Sequence, residues 1–167
     1  PGANEVWLVN LDDPRNGTMV TPPAPGQDSF TQLPSAGPMD YYMGRFWLAN
    51  GREYLAGDIV GGPSGSARYD YRDSILYVNE NTYLAGGGTF SVPTNAGNIT
   101  ALRHNASLDT ATGEGILFVF TSQSIFSCNV TPVRATWITL KEPLQRVVQI
   151  NHGTGSDRSI VAINGDL

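Results

Sequence analysis

Apolar and β-branched residues occur along this chain in short runs, each closed by Gly, Pro or Asn. The clearest run is Gly44 to Asp58, GRFWLANGREYLAGD. Phe46, Trp47, Leu48 and Ala49 lead into Asn50-Gly51, and Glu53, Tyr54, Leu55 and Ala56 lead out. Asn-Gly suits a two-residue type I′ turn, in which both central residues take φ > 0, so the stretch predicts a β-hairpin turning at Asn50-Gly51. Two further hairpins follow the same plan. Ile116 to Thr121 (ILFVFT) turns through Thr121-Ser122-Gln123-Ser124 into Ile125 to Val130 (IFSCNV), and Arg158 to Ile163 (RSIVAI) meets Asn164-Gly165. The unbroken apolar run of Ile116 to Thr121 is the pattern of a strand buried on both faces.

The remaining pattern predicts short strands separated by turns. Glu5 to Leu11 (EVWLVNL) ends in Asp12-Asp13-Pro14-Arg15-Asn16-Gly17, a strong turn signal. Thr21 to Pro38 holds Pro22, Pro23, Pro25, Pro34 and Pro38 and reads as a long surface loop with contact-making character. Met39 to Met43 feeds the first hairpin. Gly61 to Ser66 reads as a loop, Ser74 to Val78 as a strand, Gly86-Gly87-Gly88 as a break, and Thr89 to Val92 as a short strand. Strands are also predicted at Asn98 to His104, Ala135 to Leu140 and from Arg146 to Ile150, with loops at Asn105 to Gly115 and Gly153 to Asp157.

Aligned by hairpin, Ile99 and Val147 mark first strands, Phe46, Leu117 and Ile160 second strands, Tyr54, Phe126 and Leu167 third strands, and Ile75 and Trp137 outer fourth strands. A four-stranded unit recurring every roughly 40–50 residues is the signature of a β-propeller blade. The predicted fold class is therefore all-β, built of antiparallel four-stranded blades as a partial β-propeller, with a β-sandwich as the alternative. Residues 1–167 read as a single all-β domain carrying about two and a half blades, whereas a closed ring needs roughly four to eight. The opening at Pro1-Gly2 and the incomplete hairpin after Asn164-Gly165 suggest an excerpt of a longer polypeptide.

Composition agrees with this picture. Nineteen Gly and eleven Pro in 167 residues suit a turn-rich all-β chain. Charged residues are 15% of the chain, a proportion common in extracellular and virion proteins or in surfaces buried against partners. Net charge is −5, with Lys141 the single lysine, which argues against a specific nucleic-acid footprint. Cys128 has no partner for an intrachain disulfide and reads as a small buried hydrophobe. No apolar run is long enough for a membrane-spanning helix.

A search for chemistry returns no catalytic, cofactor-binding or metal-binding assignment. There is no phosphate loop, zinc spacing or nucleophile elbow. His104 and His152 follow the two proposed first strands and could lie at matching blade edges, but exposed or loop-capping roles account for them better than a metal pair. Asp12, Asp13 and Asn16 resemble a calcium loop only superficially, since alternating carboxylates and a closing Glu are missing. Asp40, Glu53, Asp58 and Asp73 cluster in sequence near the first hairpin, and a glycosidase would need two of them to converge. Asn16, Asn98, Asn105 and Asn129 head four sequons. Chance accounts for them, and use would require a eukaryotic secretory origin. Tyr41, Tyr42, Tyr69 and Tyr71 could form a sugar-stacking platform, though packing is the commoner role.

The segments VWLVNLDDPRNGTMVTPP, GRFWLANGREYLAGDI, RDSILYVNENTYLAGGGTFSVPTNAGNI, GILFVFTSQSIFS and QRVVQINHGTGSDRSIVAINGDL together resemble tailed-bacteriophage virion proteins, in the manner of the propeller-like tail tube or nozzle proteins of short-tailed phages. The resemblance spans most of the chain and is one of general pattern. It implies a non-enzymatic structural component of the virion, in a tail or neck assembly around a DNA passage, whose partners are copies of itself in a ring and other tail or neck proteins. DNA would pass without specific binding, and net acidity suits a lumen that repels phosphate. The alternatives are a glycan- or host-receptor-binding adhesin and, further off, a glycoside hydrolase.

Overall fold

The computed structural model describes residues 7–8, 18–19, 37–57, 81–107, 114–147 and 152–161. The protein is all-β, with two four-stranded antiparallel sheets and helix limited to short 3₁₀ turns. A two-stranded ladder joins β1 (Trp7–Leu8) to β2 (Thr18–Met19). The first large sheet runs in chain order: β3 (Met39–Tyr42), β4 (Arg45–Asn50), β5 (Glu53–Ala56) and β6 (Thr89–Ser91). The second does the same: β7 (Ile99–Ala106), β8 (Glu114–Thr121), β9 (Ile125–Cys128) and β10 (Leu144–Arg146). Each is a meander, so every strand pairs with its sequence neighbour and the ladders form between local partners. The predicted equivalence of Phe46 with Leu117 and of Tyr54 with Phe126 holds at this level: β4 and β8 are second strands, β5 and β9 third strands.

The two sheets face one another. Alternation along β4 sends Arg45, Trp47 and Ala49 inward, while Phe46 and Leu48 take the opposite face. Tyr42, Tyr54, Ala56 and Phe90 complete the inward layer of the first sheet. Ile99, Leu102, Leu117, Val119, Phe126 and Cys128 answer from the second. Trp47 packs on Tyr54 and Phe90 with ring centroids 6.0 and 5.9 Å apart. On β8, Leu117 and Val119 are buried in this layer but Ile116 is exposed, so the strand is not covered along its whole length on both faces as its apolar run predicts.

The turn chemistry differs from the sequence expectation by one residue. Asn50 pairs with Glu53, which makes Gly51 and Arg52 the two turn residues. Gly51 has φ +61° and Asn50 is not among the described residues with positive φ. A glycine with positive φ at the first central position is the type II′ arrangement, not the type I′ expected for Asn50-Gly51. The pattern of two positive φ values occurs one turn earlier, at Met43 (φ 51°) and Gly44 (φ 71°), between paired Tyr42 and Arg45. A methionine there gives no propensity signal, and tertiary contacts hold it: its N–H donates to Glu114 Oε2 at 3.0 Å, and its side chain packs on the core.

A second difference concerns Ala135 to Leu140. Despite their β-forming composition, Arg134–Thr139 form a 3₁₀ run. Only Trp137 of this run is buried, with Thr136, Ile138 and Thr139 exposed. One anchor in six residues fits a short helical wrap around a buried indole and cannot cover a strand face. The fourth strand of the second sheet is β10, and that of the first is β6. Val147 therefore follows a fourth strand and does not open a first one. Residues 157–159 form a 3₁₀ turn, so the strand predicted from Arg158 is not present over its described part. The strand predicted at Ser74 to Val78, the loop at Gly61 to Ser66, most of the Pro-rich stretch Thr21 to Pro38 and the final Asn164-Gly165 turn lie outside the described residues.

The hydrogen bonds made after each fourth strand follow one pattern. After β6, Val92 N–H donates to Arg52 O at 3.0 Å and Ile99 N–H to Gly51 O at 2.7 Å, so the crossing runs beneath the β4–β5 tip. After β10, Val147 N–H donates to Ile125 O and Thr154 N–H to Thr121 O, both at 2.9 Å, beneath the β8–β9 tip. The two donors are equally spaced in sequence in each unit. Thr154, not Val147, is thus the counterpart of Ile99.

Because no atom lies within 4 Å of a Cβ added at Gly51, substitution there tests backbone conformation alone. Gly51→Ala is expected to destabilise the protein by about 1–2 kcal/mol in urea unfolding, and Gly51→Asn by less, since Asn tolerates the left-handed region.

Candidate functional site

The polar groups of the fold concentrate where the two sheets meet. Along the β3–β7 side, Asp40 is half-buried on the inward face of its strand, in register with Trp47. Its Oδ2 accepts the His104 backbone N–H and lies 2.9 Å from His104 Nδ1. A carboxylate only accepts, so Nδ1 carries the proton of that contact. The imidazole stacks on Tyr42 with centroids 6.0 Å apart, and the Tyr42 hydroxyl donates to Gly115 O at 2.8 Å. With Glu114 receiving the Met43 N–H, four links tie the first hairpin of one sheet to the first hairpin of the other.

Deeper in, Tyr54 of β5 donates its hydroxyl to Cys128 Sγ of β9 at 3.3 Å. Burial pushes the Cys128 thiol up to about 12, against a smaller lowering by the Tyr54 hydrogen bond. Burial likewise raises Tyr42 to about 12, helped by Cys128 and Glu114, and raises Tyr54 well above the ordinary phenol range. These are groups held neutral by desolvation, the opposite of an activated nucleophile, which needs a lowered pKa.

At the other side, two guanidinium groups flank one indole. Arg45, 2% exposed, donates to Gly57 O at 3.0 Å and Pro132 O at 2.8 Å. Arg134 donates to Ala56 O and Gly57 O at 3.1 and 2.9 Å. Their Cζ atoms lie 5.3 and 6.0 Å from the Trp137 ring centroid, within cation–π range. Trp137 Nε1 donates to Thr131 O at 2.7 Å. Sequence reasoning missed this cluster. Strict alternation from Trp47 would have turned Arg45 inward, and the i, i+3 spacing of Arg134 and Trp137 suits the 3₁₀ turn that joins them.

The residues singled out from sequence are not brought together. His104 is bound to Asp40, while His152 is exposed beyond β10. Asp40 and Glu53 do not face a shared space: Asp40 points between the sheets, and Glu53 is exposed at the β4–β5 tip. Asp12, Asp13, Asn16, Asp58, Asp73, Tyr69 and Tyr71 lie outside the described residues. Tyr42 is buried and Tyr41 is 44% exposed, so the two adjacent tyrosines do not share a platform. Of the sequons, Asn98 and Asn129 are exposed and Asn105 lies half-buried within β7. Asn129 follows β9, not within it as expected, and its N–H donates to Pro143 O. Cys128 is the buried hydrophobe its setting in β9 predicts. Among the described residues, no group of three His, Cys, Asp or Glu could hold a metal ion, and no helix is long and apolar enough to cross a membrane.

Two measurements follow. Replacing Trp137 with Ala should cost about 3–5 kcal/mol in chemical unfolding, the usual range for a buried tryptophan. The folded chain keeps Cys128 and Tyr42 protonated to about 12, whereas the unfolded chain releases these protons from their ordinary values of 9.0 and 10.0. The unfolded state then binds fewer protons, so stability falls as pH rises through that window, by roughly 1.4 kcal/mol per pH unit for each such group. A thermal melting series should decline from about pH 9, and Cys128→Ala should flatten its first part.

Comparison of the chain with protein-family models, with curated proteins and with solved structures found no match in any of the three.

Proposed function

We infer that this protein is a structural element of a phage particle, its sheets acting as propeller-like blades in the wall of a tail or neck assembly. The observation that carries the reading is the repeated hydrogen-bond pattern at the β4–β5 and β8–β9 tips. In both units the residue that follows the fourth strand and the residue seven positions on donate to the tip of the central hairpin, and in the first unit that second donor opens the next sheet. A two-sheet sandwich needs this pattern once, while a blade array needs it after every sheet.

The packing supports the same reading. First strands β3 and β7 lie close, through Asp40 and His104. On the fourth-strand side, Trp137 is inserted between the sheets and packs on Phe90 of β6 at 5.4 Å. Close inner strands with filled space toward the outer strands describe blades radiating from an axis. The charge-poor composition and the resemblance to short-tailed phage nozzle proteins supply the biological setting, with copies of the chain and other tail or neck proteins as partners. The mechanism is passive: rigid sheets form a wall, and DNA passes without being bound.

Cryo-electron microscopy of the purified protein tests this. Rings with an axial channel, their Asp and Glu gathered on the lumen, are the expected result. Isolated particles with two sheets and evenly scattered acidic residues would overturn it.

A further inference from the structure

We propose that the outward face of the first sheet is a head-to-tail docking surface for a second copy of this chain. It receives from that copy the strip of the second sheet around exposed Ile116 and half-buried Phe118. The inference rests on the blade reading above and names the contact by which blades of different copies would join.

The outward face is read from register. Met39 pairs with Leu48, Leu48 with Leu55, and Tyr41 with Phe46, so these five residues form two adjacent cross-strand rows on the side away from the core. Tyr41 packs edge-on against Phe46 at 5.3 Å, which fixes an aromatic pair in the middle of the surface. Met39 is 56% exposed and Tyr41 44%, so the chain itself leaves this part uncovered. A sheet face of this composition facing water alone would alternate polar with apolar positions. This one gathers its apolar residues at the β3 side, Met39, Tyr41, Phe46 and Leu48, whereas its Leu55 end is buried beside Thr89 and the tip row Asn50–Glu53–Ser91 is polar.

The repeat specifies the occupant. The corresponding inner face of the second sheet, carrying Leu117, Val119 and Phe126, is buried against the preceding sheet of the same chain. A sheet of this kind therefore packs on its predecessor through that face. The first sheet presents its own such face to the outside. What covers it should match what a sheet presents to its successor, and on the second sheet that side carries Phe118 and Phe120, adjoining at 6.2 Å, and Ile116, with Arg103 and Ser127 paired on either side of Phe118. Residues 152–161 cover only one end of it, where Thr154 bonds Thr121 and Asp157 pairs with Arg103 at 3.9 Å. Phe120, 7% exposed, lies at the covered end, while Ile116, 42% exposed, lies at the free end. Two different surfaces meeting in this way form a heterologous contact, which closes into a ring if the rotation per copy permits.

Sedimentation velocity across a concentration series, on wild type and on Met39→Asp/Tyr41→Asp, tests the surface. Wild type should self-associate, and the double variant should associate at least tenfold more weakly. The tryptophan bands of the near-ultraviolet circular dichroism should be unchanged, because both side chains lie on the face opposite buried Trp47. Leu84→Asp, an exposed apolar site elsewhere, should associate like wild type. Orientation is read by oxidising a mixture of Tyr41→Cys and Ile116→Cys proteins, in which buried Cys128 does not compete. A mixed disulfide is expected. A Tyr41→Cys protein that links efficiently to itself would mean a back-to-back contact and overturn the proposal. If the double variant assembles as well as wild type, the docking surface is wrong while the ring reading stands. If wild type is monomeric throughout, both fall.

Discussion

The structure depends on burying two tryptophans against each other. Trp47 sits at the centre of the first sheet and Trp137 on the 3₁₀ turn between β9 and β10, with rings 5.7 Å apart and neither more than 1% exposed. Each large aromatic removes about 150–250 Å² from water, and Phe90 and Tyr54 extend the same stack. This cluster joins segments far apart in sequence. It turns two meanders, each only marginally stable alone, into one packed unit.

Such an interior constrains every polar atom within it. Trp47 Nε1 donates to Tyr42 O, Trp137 Nε1 to Thr131 O, and Tyr54 to Cys128. Arg45 and Arg134 direct their guanidinium groups to backbone carbonyls at the ends of β5 and near residue 132, while their planes lie over Trp137. Without these donors the carbonyl of buried Gly57, which both guanidinium groups reach, would lose these partners, at a cost of about 1–3 kcal/mol. The same desolvation keeps Cys128, Tyr42 and Tyr54 neutral.

The meander topology also bears on assembly. Every ladder joins strands that are consecutive in the chain, and the β3–β4, β4–β5 and β8–β9 hairpins close short loops at low entropic cost, whereas β6 joins β5 across a long connection. The longer-range step is docking of one sheet on the other, guided by Asp40 with His104 and by Glu114 with Met43.

Much of this was legible along the chain. Short apolar runs closed by Gly, Pro or Asn marked β4, β5, β8 and β9, because strand-forming runs and the turns that end them are local properties. The all-β class and the equivalence of the two central hairpins follow from that. The turn at Gly51-Arg52 was displaced by one residue, since Asn50-Gly51 satisfies a local preference while the register is set by which faces of β4 and β5 must be buried together. Ala135 to Leu140 read as a strand because β-branched residues favour one, yet the segment folds around Trp137, whose burial depends on Trp47 and Phe90 of the other sheet. Likewise Asp40 and His104, isolated in sequence, meet only because β3 and β7 become neighbours. Local pattern determined the strands, and burial between distant segments decided their register, the fate of Trp137 and which polar groups are joined.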